Sequence, residues 1–223
     1  MPVRLRRPPR EAVHHPLFAR FWAKVSPLAD ERAGVAELRG ELLAGLSGRV
    51  IEIGAGNGLN FAHYPDTVSE VVAIEPERHL RRLAVRAGHR AEVPVDVVPG
   101  VAEALPVKSE AFDAAVACLV LCSVRDVQRT LAELLRVLRP GGELRFLEHG
   151  RAEGRALAMT QEALDRTVWP LLFGGCHTGR EMRAELARAG FEPVTHRSLR
   201  LPDRGLPLPT SPGTLGVVRR PVP

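Results

Sequence analysis

Val50-Ile51-Glu52-Ile53-Gly54-Ala55-Gly56-Asn57-Gly58 runs an apolar strand straight into three alternate glycines. Lacking Cβ atoms, such a turn can take positive φ angles and let a ligand approach the backbone closely. The spacing is G-x-G-x-G, whereas a dinucleotide site reads G-x-G-x-x-G and seats a pyrophosphate on the next helix. Glu52, two residues before Gly54, points a negative charge toward the turn. A carboxylate there repels a pyrophosphate and suits the cationic end of an amino-acid ligand. Taken alone, the triplet also fits a plain structural turn.

A second strand, Val71-Val72-Ala73-Ile74-Glu75, ends on an acid seventeen residues past Gly58. An acid in that place can accept both ribose hydroxyls of a nucleoside-containing cofactor. Followed by Pro76, it could equally begin the next helix, where carboxylates are favoured. Further signals alternate along the chain. Strands are predicted over 49–53, 70–74, 95–98, 112–119 and 143–147, with helices near 60, over 78–87 and over 127–138. Helical stretches over 155–172 and 180–189 and strands over 192–199 and 213–219 complete the pattern. Such alternation implies a doubly wound, mostly parallel sheet with helices on both faces and its strand-to-helix turns along one ligand-binding edge.

Before this core, residues 1–16 read as a basic disordered arm broken by Pro2, Pro8, Pro9 and Pro16. Leu17, Phe18, Phe21, Trp22 and Val25 then recur at helical spacing up to Pro27, giving an amphipathic helix that either lids the cleft or touches a membrane surface. A second helix follows over 31–46. Residues 17–223 thus form one domain with an N-terminal lid helix, in keeping with a length of 223 residues.

The net charge is +5, from 31 basic and 26 acidic residues, but only Arg4 to Arg10 form a cluster and aromatics make up 4%. That is too few rings for a base-stacking platform, so no nucleic-acid partner is expected. Three cysteines, Cys118, Cys122 and Cys176, show no metal-pair spacing, so no metal is expected and a reducing cytoplasmic setting is. No run approaches the ~18 apolar residues of a spanning helix. Membrane contact is therefore expected to be weak surface association at most, and the state a monomer or weak dimer.

With these residues in view, the chain resembles the class I S-adenosyl-L-methionine (AdoMet)-dependent methyltransferases over nearly all of residues 46–220. Glu52 to Gly58 resembles that family's cofactor loop, Glu75 its ribose acid, and Val101-Ala102-Glu103-Ala104-Leu105-Pro106 its adenine segment. Phe112 to Val116 is similar to its fourth strand, and Leu135-Arg136-Val137-Leu138-Arg139-Pro140-Gly141-Gly142 to its turn into the fifth. The resemblance implies a Rossmann-like seven-stranded sheet with a C-terminal antiparallel strand and AdoMet as cofactor. It implies cofactor contacts from Glu52, Gly54, Gly56, Gly58, Asn60, Glu75, Pro76, Ala102, Glu103, Cys118 and Leu119. One departure is Val101, where many members carry an aspartate for the adenine amino group; recognition then falls to the backbone around Ala102 and to Glu103, which could also be a solvated charge.

Leu119 to Val124, Phe146 to His149, and Leu172-Phe173-Gly174-Gly175-Cys176 with Arg180-Glu181 resemble a subgroup related to microsomal alkyl-thiol methyltransferases. The hydrophobic N-terminal segment of those relatives has no counterpart in this sequence. The implied function is methyl transfer to a small molecule, a thiol or a lipophilic hydroxyl or carbon nucleophile. The alternatives are a non-catalytic AdoMet-fold binding module and a nicotinamide-dependent oxidoreductase. Positioning beside an activated methyl donor supplies much of the catalysis. His149, after the fifth strand, is the candidate general base, with loop-fastening as its other reading. Asn60 could cap the first core helix or touch the amino-acid end of AdoMet.

Overall fold

The computed structural model describes residues 16–202 and 208–222. Seven strands form one sheet: β1 (Gly48–Ile53), β2 (Val68–Ile74), β3 (Val95–Val98), β4 (Phe112–Cys118), β5 (Leu138–His149), β6 (Glu192–Arg200) and β7 (Pro212–Arg219). Their order is β3-β2-β1-β4-β5-β7-β6. The first five pair in parallel, and β7 runs antiparallel between β5 and β6. The doubly wound α/β class expected from the sequence is what the chain adopts. The order reverses beside β1, which puts the switch point, where such sheets hold their ligand crevice, between β1 and β4 at the sheet's carboxyl edge.

Residue alternation sends successive side chains to opposite faces. Ile51, Ile53, Ala115, Ala117, Leu144 and Phe146 pack into one core, under α4 (Val127–Val137) and α7 (Met182–Ala189). Val50, Val71, Ala73, Val116 and Leu147 pack into the other, under α2 (Val35–Leu43) and α3 (Arg78–Gly88). Helices α1 (Pro16–Ala33), α5 (Arg155–Asp165) and α6 (Trp169–Leu172) lie outside this frame.

Several sequence expectations are corrected. The helix expected near Asn60 is a single 3-10 turn, Phe61–His63. Pro65 ends it, because the residue before a proline is pushed out of the helical region. Helix α1 does not stop near Pro27 but continues to Ala33. Buried Ser26 and Asp30 flank the proline, and their tertiary hydrogen bonds carry the helix past the one missing backbone donor. The second helix is shorter than 31–46, starting at Val35 after Gly34 in the left-handed region (φ 69°). Pro140-Gly141-Gly142 is not a turn between elements; it lies within the twelve-residue β5, where the pairing with β4 shifts register. The stretch 155–172 splits into α5 and α6. The expected arm lies outside the described residues, apart from Pro16, the first residue of α1.

Candidate active site

The loop after β1 shows why glycine recurs there. A Cβ on Gly54 (φ 63°) would collide with Val120 Cγ2, so the β4 loop can pack only against a bare backbone. Gly56 (φ 57°) differs: a Cβ there would meet nothing within 4 Å, so its outer side faces open space. The Gly58 N–H closes the turn on Ala55 O at 2.9 Å.

Glu75, 4% exposed, reaches this loop from the end of β2. Its Oε2 accepts from Gly56 N at 2.8 Å and its Oε1 from Glu77 N at 2.8 Å. Each carboxylate oxygen has two lone pairs, so each keeps one free. Burial pushes the Glu75 carboxyl up to about 7, against the pull of those two N–H groups. The cap of α3 is Glu77, which accepts from His79 N and Leu80 N, so beginning that helix is not Glu75's part. Pro76 joins the two acids, and its carbonyl accepts from Arg81.

Glu52 stands on the α2 side of β1, 2% exposed. Asn60 Nδ2 donates to its Oε1 at 3.0 Å and the Tyr64 hydroxyl to its Oε2 at 2.7 Å. Burial raises it to about 7, with Tyr64, Asn60 and Arg39 opposing. Asn60 occupies the cap position of the 3-10 turn without capping it. Its Oδ1 instead accepts from Arg39 Nη1 at 2.6 Å. Arg39, in α2 and 7% exposed, also donates to both Asp30 oxygens at 2.7 and 2.9 Å and to Cys118 Sγ at 3.1 Å. One buried chain thus runs from α1 through α2 to the glycine loop and the tip of β4. Burial pushes the Cys118 thiol up to about 12, with Arg39 opposing.

The pairing places Cys118 opposite Leu147 and Glu52 opposite Val116. By strand alternation Glu52, Cys118 and His149 therefore share the α2 face of the sheet edge. Leu119 follows Cys118 at φ 55°, a rare conformation for a branched side chain, held by its N–H on Leu147 O at 2.7 Å. Burial lowers the His149 pKa below 6.5, partly offset by a hydrogen bond with the Thr210 backbone. Its Nδ1 is buried and has no hydrogen-bond partner among the described residues.

Glu148 points the other way and is fully buried. It accepts from the N–H groups of Val120, Leu121 and Cys122 at 2.9, 2.7 and 3.2 Å, fixing the loop after β4. Burial pushes it up to about 7. Ala102 is buried within a turn closed by Ala104 N on Val101 O at 3.2 Å. The Glu103 carboxylate accepts from Arg125 N at 2.9 Å, so that acid holds the start of the α4 region. Cys122 and Cys176 are buried neighbours, Sγ to Sγ 3.7 Å, and His177 Nδ1 lies 2.8 Å from Gly175 O. No metal-type cluster occurs among the described residues, and no helix there is long and apolar enough to cross a membrane.

The glycine loop, Glu75, Asn60, Cys118 and Leu119 converge on one edge, as the sequence implies. Asp30, Arg39, Tyr64 and the anchoring part of Glu148 went unread. Tyr64 alone left a trace, as the chain's single tyrosine six residues past the glycine loop. The open space over Gly56 and the two spare acceptor sites on Glu75 fit a nucleoside ligand whose two ribose hydroxyls meet one carboxylate.

The sequence profile described as "Methyltransferase domain" matches residues 51–146. A human thiol S-methyltransferase, TMT1A, is 34% identical over 165 residues, spanning 71% of this chain and 67% of its own. A ubiquinone/menaquinone biosynthesis C-methyltransferase of Syntrophotalea carbinolica is 30% identical over 190 residues, spanning 76% and 79%. A SAM-dependent methyltransferase structure from Thermotoga maritima superposes with a TM-score of 0.66 at 24% identity, covering 92% of this chain and 98% of that one. The structural likeness shows the fold, and the relatives show the lineage. This chain belongs to the class I AdoMet-dependent methyltransferases and is an enzyme of that kind acting on a small molecule.

Proposed function

We propose that the methyl acceptor is a small thiol and that His149 takes its proton. The observation that carries this reading is the state of His149: half-buried, with a buried Nδ1 unpartnered among the described residues and a pKa held below 6.5. Such a base is neutral at pH 7 but weak. A thiol of pKa roughly 8.5 lies within its reach, whereas an aliphatic alcohol, near water at about 15.7, does not. The human relative named for thiol S-methylation supports the same class. AdoMet supplies the activated methyl group. For the chain's own part, Glu75 binds the ribose hydroxyls, and Gly54, Gly56 and Gly58 bring backbone close to the ligand. Pro76 and Ala102 border the adenosine, and Glu103 contributes there through its backbone. Glu52 acts through Asn60, which with Cys118 and Leu119 lines the amino-acid end.

Helix α1 serves as a lid, tied to the glycine loop by Asn57 Nδ2 on Ser26 Oγ at 3.1 Å. The reading extends to a cytoplasmic monomer or weak dimer without a nucleic-acid partner, supported by three free thiols and scattered charge. Any membrane contact is weak and passes through Leu17, Phe21 and Leu28, exposed on α1. The test is transfer of labelled methyl from AdoMet to matched thiols, phenols and aliphatic alcohols. Thiols should lead alcohols by at least about 10³ in kcat/KM, the scale of general-base assistance. Equal rates on an alcohol and its thiol analogue would defeat the assignment.

A further inference from the structure

On the sheet face opposite His149, α7 has only eight residues. Its Met182 and Leu186 reach the core beside Phe146 of β5 and Val218 of β7, but the outermost strand, β6, is left uncovered. Strand β6 is exposed along nearly its whole length. Between α7, the β6–β7 ribbon and the start of α5 this leaves a cavity of about 1020 Å³. That is the upper end of small-molecule sites. Its floor is apolar, formed by Phe146, Leu186, Phe191 and Val218. Its charged wall is unbalanced even without Arg200: Arg151, Arg180 and Arg183 stand against two carboxylates, Glu153 and Glu181, a net +1. Arg151 and Glu181 pair at 3.5 Å. Among the described residues the Arg180 guanidinium hydrogen-bonds the carbonyls of Leu121 and Val124, and no carboxylate there pairs with it. A cation bonded only to neutral acceptors beside an apolar floor is complementary to a ligand with one negative head and an apolar body.

We propose that this cavity is a second ligand site, distinct from the cofactor crevice, for an amphipathic monoanion of the fatty-carboxylate class. The floor takes the alkyl chain, and Arg180 with Arg183 faces the carboxylate. Decanoate and 1-decanol serve as probes, titrated calorimetrically into the full chain below their aggregation limits. Decanoate should bind at one saturable site, at least about tenfold tighter than decanol, the factor worth one charge-assisted contact. Ser198 is exposed on β6 and lines the cavity, so Ser198→Trp fills it without touching the core. That variant should weaken decanoate about tenfold or more while melting temperature and AdoMet affinity stay unchanged. Arg183→Glu, an exposed charge reversal, should weaken decanoate and spare decanol. Saturating S-adenosylhomocysteine should leave decanoate binding in place. The proposal is overturned by any of four results: no saturable site, equal binding of decanol, full affinity in Ser198→Trp, or displacement by S-adenosylhomocysteine.

Discussion

At the residue scale, two side chains carry the strongest tests. The Glu75 carboxylate is raised to about 7 by burial, so a large fraction is protonated just below neutrality. On the proposed reading ribose hydroxyls donate to the ionised form, and protonation would remove that acceptor. AdoMet affinity should therefore fall as pH drops from 8 to 6, by up to about tenfold per unit for one coupled proton. Glu75→Ala should weaken AdoMet by about 1.5–3 kcal/mol with folding retained. Glu75→Gln should flatten the pH profile, leaving the part that comes through Glu52. Calorimetric titration showing a pH-independent wild type, or unaltered affinity in the alanine variant, would remove Glu75 from the site. His149 makes a different prediction. If it takes the acceptor's proton, His149→Asn should lower turnover about 10²–10⁴-fold at neutral pH with AdoMet affinity preserved. The loss should shrink at high pH, where solvent supplies the thiolate. A histidine that merely fastens β5 to the segment at Thr210 would instead lower the melting temperature and show no rescue by pH.

At the element scale, the decisive feature is how α1 is fixed. Its Asp30 meets Arg39 of α2 in a two-pronged ion pair, with side-chain exposures of 12% and 9%. Such a pair is costly to break from one side, because the survivor stays buried and uncompensated. Asp30→Ala should cost about 3–5 kcal/mol. The double variant Asp30→Ala with Arg39→Met should recover part of that loss, because no charge is then stranded. Arg39 also holds Asn60 and Cys118, so the double variant should weaken AdoMet binding even where it regains stability. Urea unfolding of the three proteins, followed by AdoMet titration, distinguishes these outcomes. A double variant less stable than Asp30→Ala would show that Arg39 contributes mainly by packing.

At the scale of the whole molecule, three buried carboxyls set the pH dependence. Glu52, Glu75 and Glu148 each rise from 4.5 to about 7 on burial. Between those values the folded state holds protons that the unfolded chain has released. Stability therefore declines as pH rises through this window and levels off above it. His149, lowered by burial, works in the opposite sense below about 6.5, but one group does not offset three. Melting of the ligand-free protein should occur at lower temperature at pH 8 than at pH 5.5, and scanning fluorimetry across that range checks it. Added AdoMet at 100 times its dissociation constant should stabilise by about 2.7 kcal/mol, whereas NAD should not. An equal shift with NAD would contradict the cofactor assignment that the G-x-G-x-G spacing first suggested.

The alternation of apolar strands and amphipathic helices, read from the sequence alone, gave the parallel sheet and its winding. The reason is that burial on two faces is written in local periodicity. The glycine loop and Glu75 were legible for the same reason: a strand, a turn and an acid at fixed spacing are local facts. Local signals failed where distant partners overruled them. Pro27 reads as a helix end, yet Asp30 beyond it is held by Arg39, nine residues on in another helix. Gly58-Leu59-Asn60 reads as a helix start, yet Asn60 and Tyr64 turn inward to Glu52 instead. Glu148 reads as a neighbour of the catalytic candidate, but β4 pairing turns its carboxylate onto three N–H groups of the next loop. Local spacing thus determined the strand, the glycine turn and the acid beside it. Only the tertiary structure decided which buried charges brace it, because a buried ion is tolerated only where the fold assembles its partners.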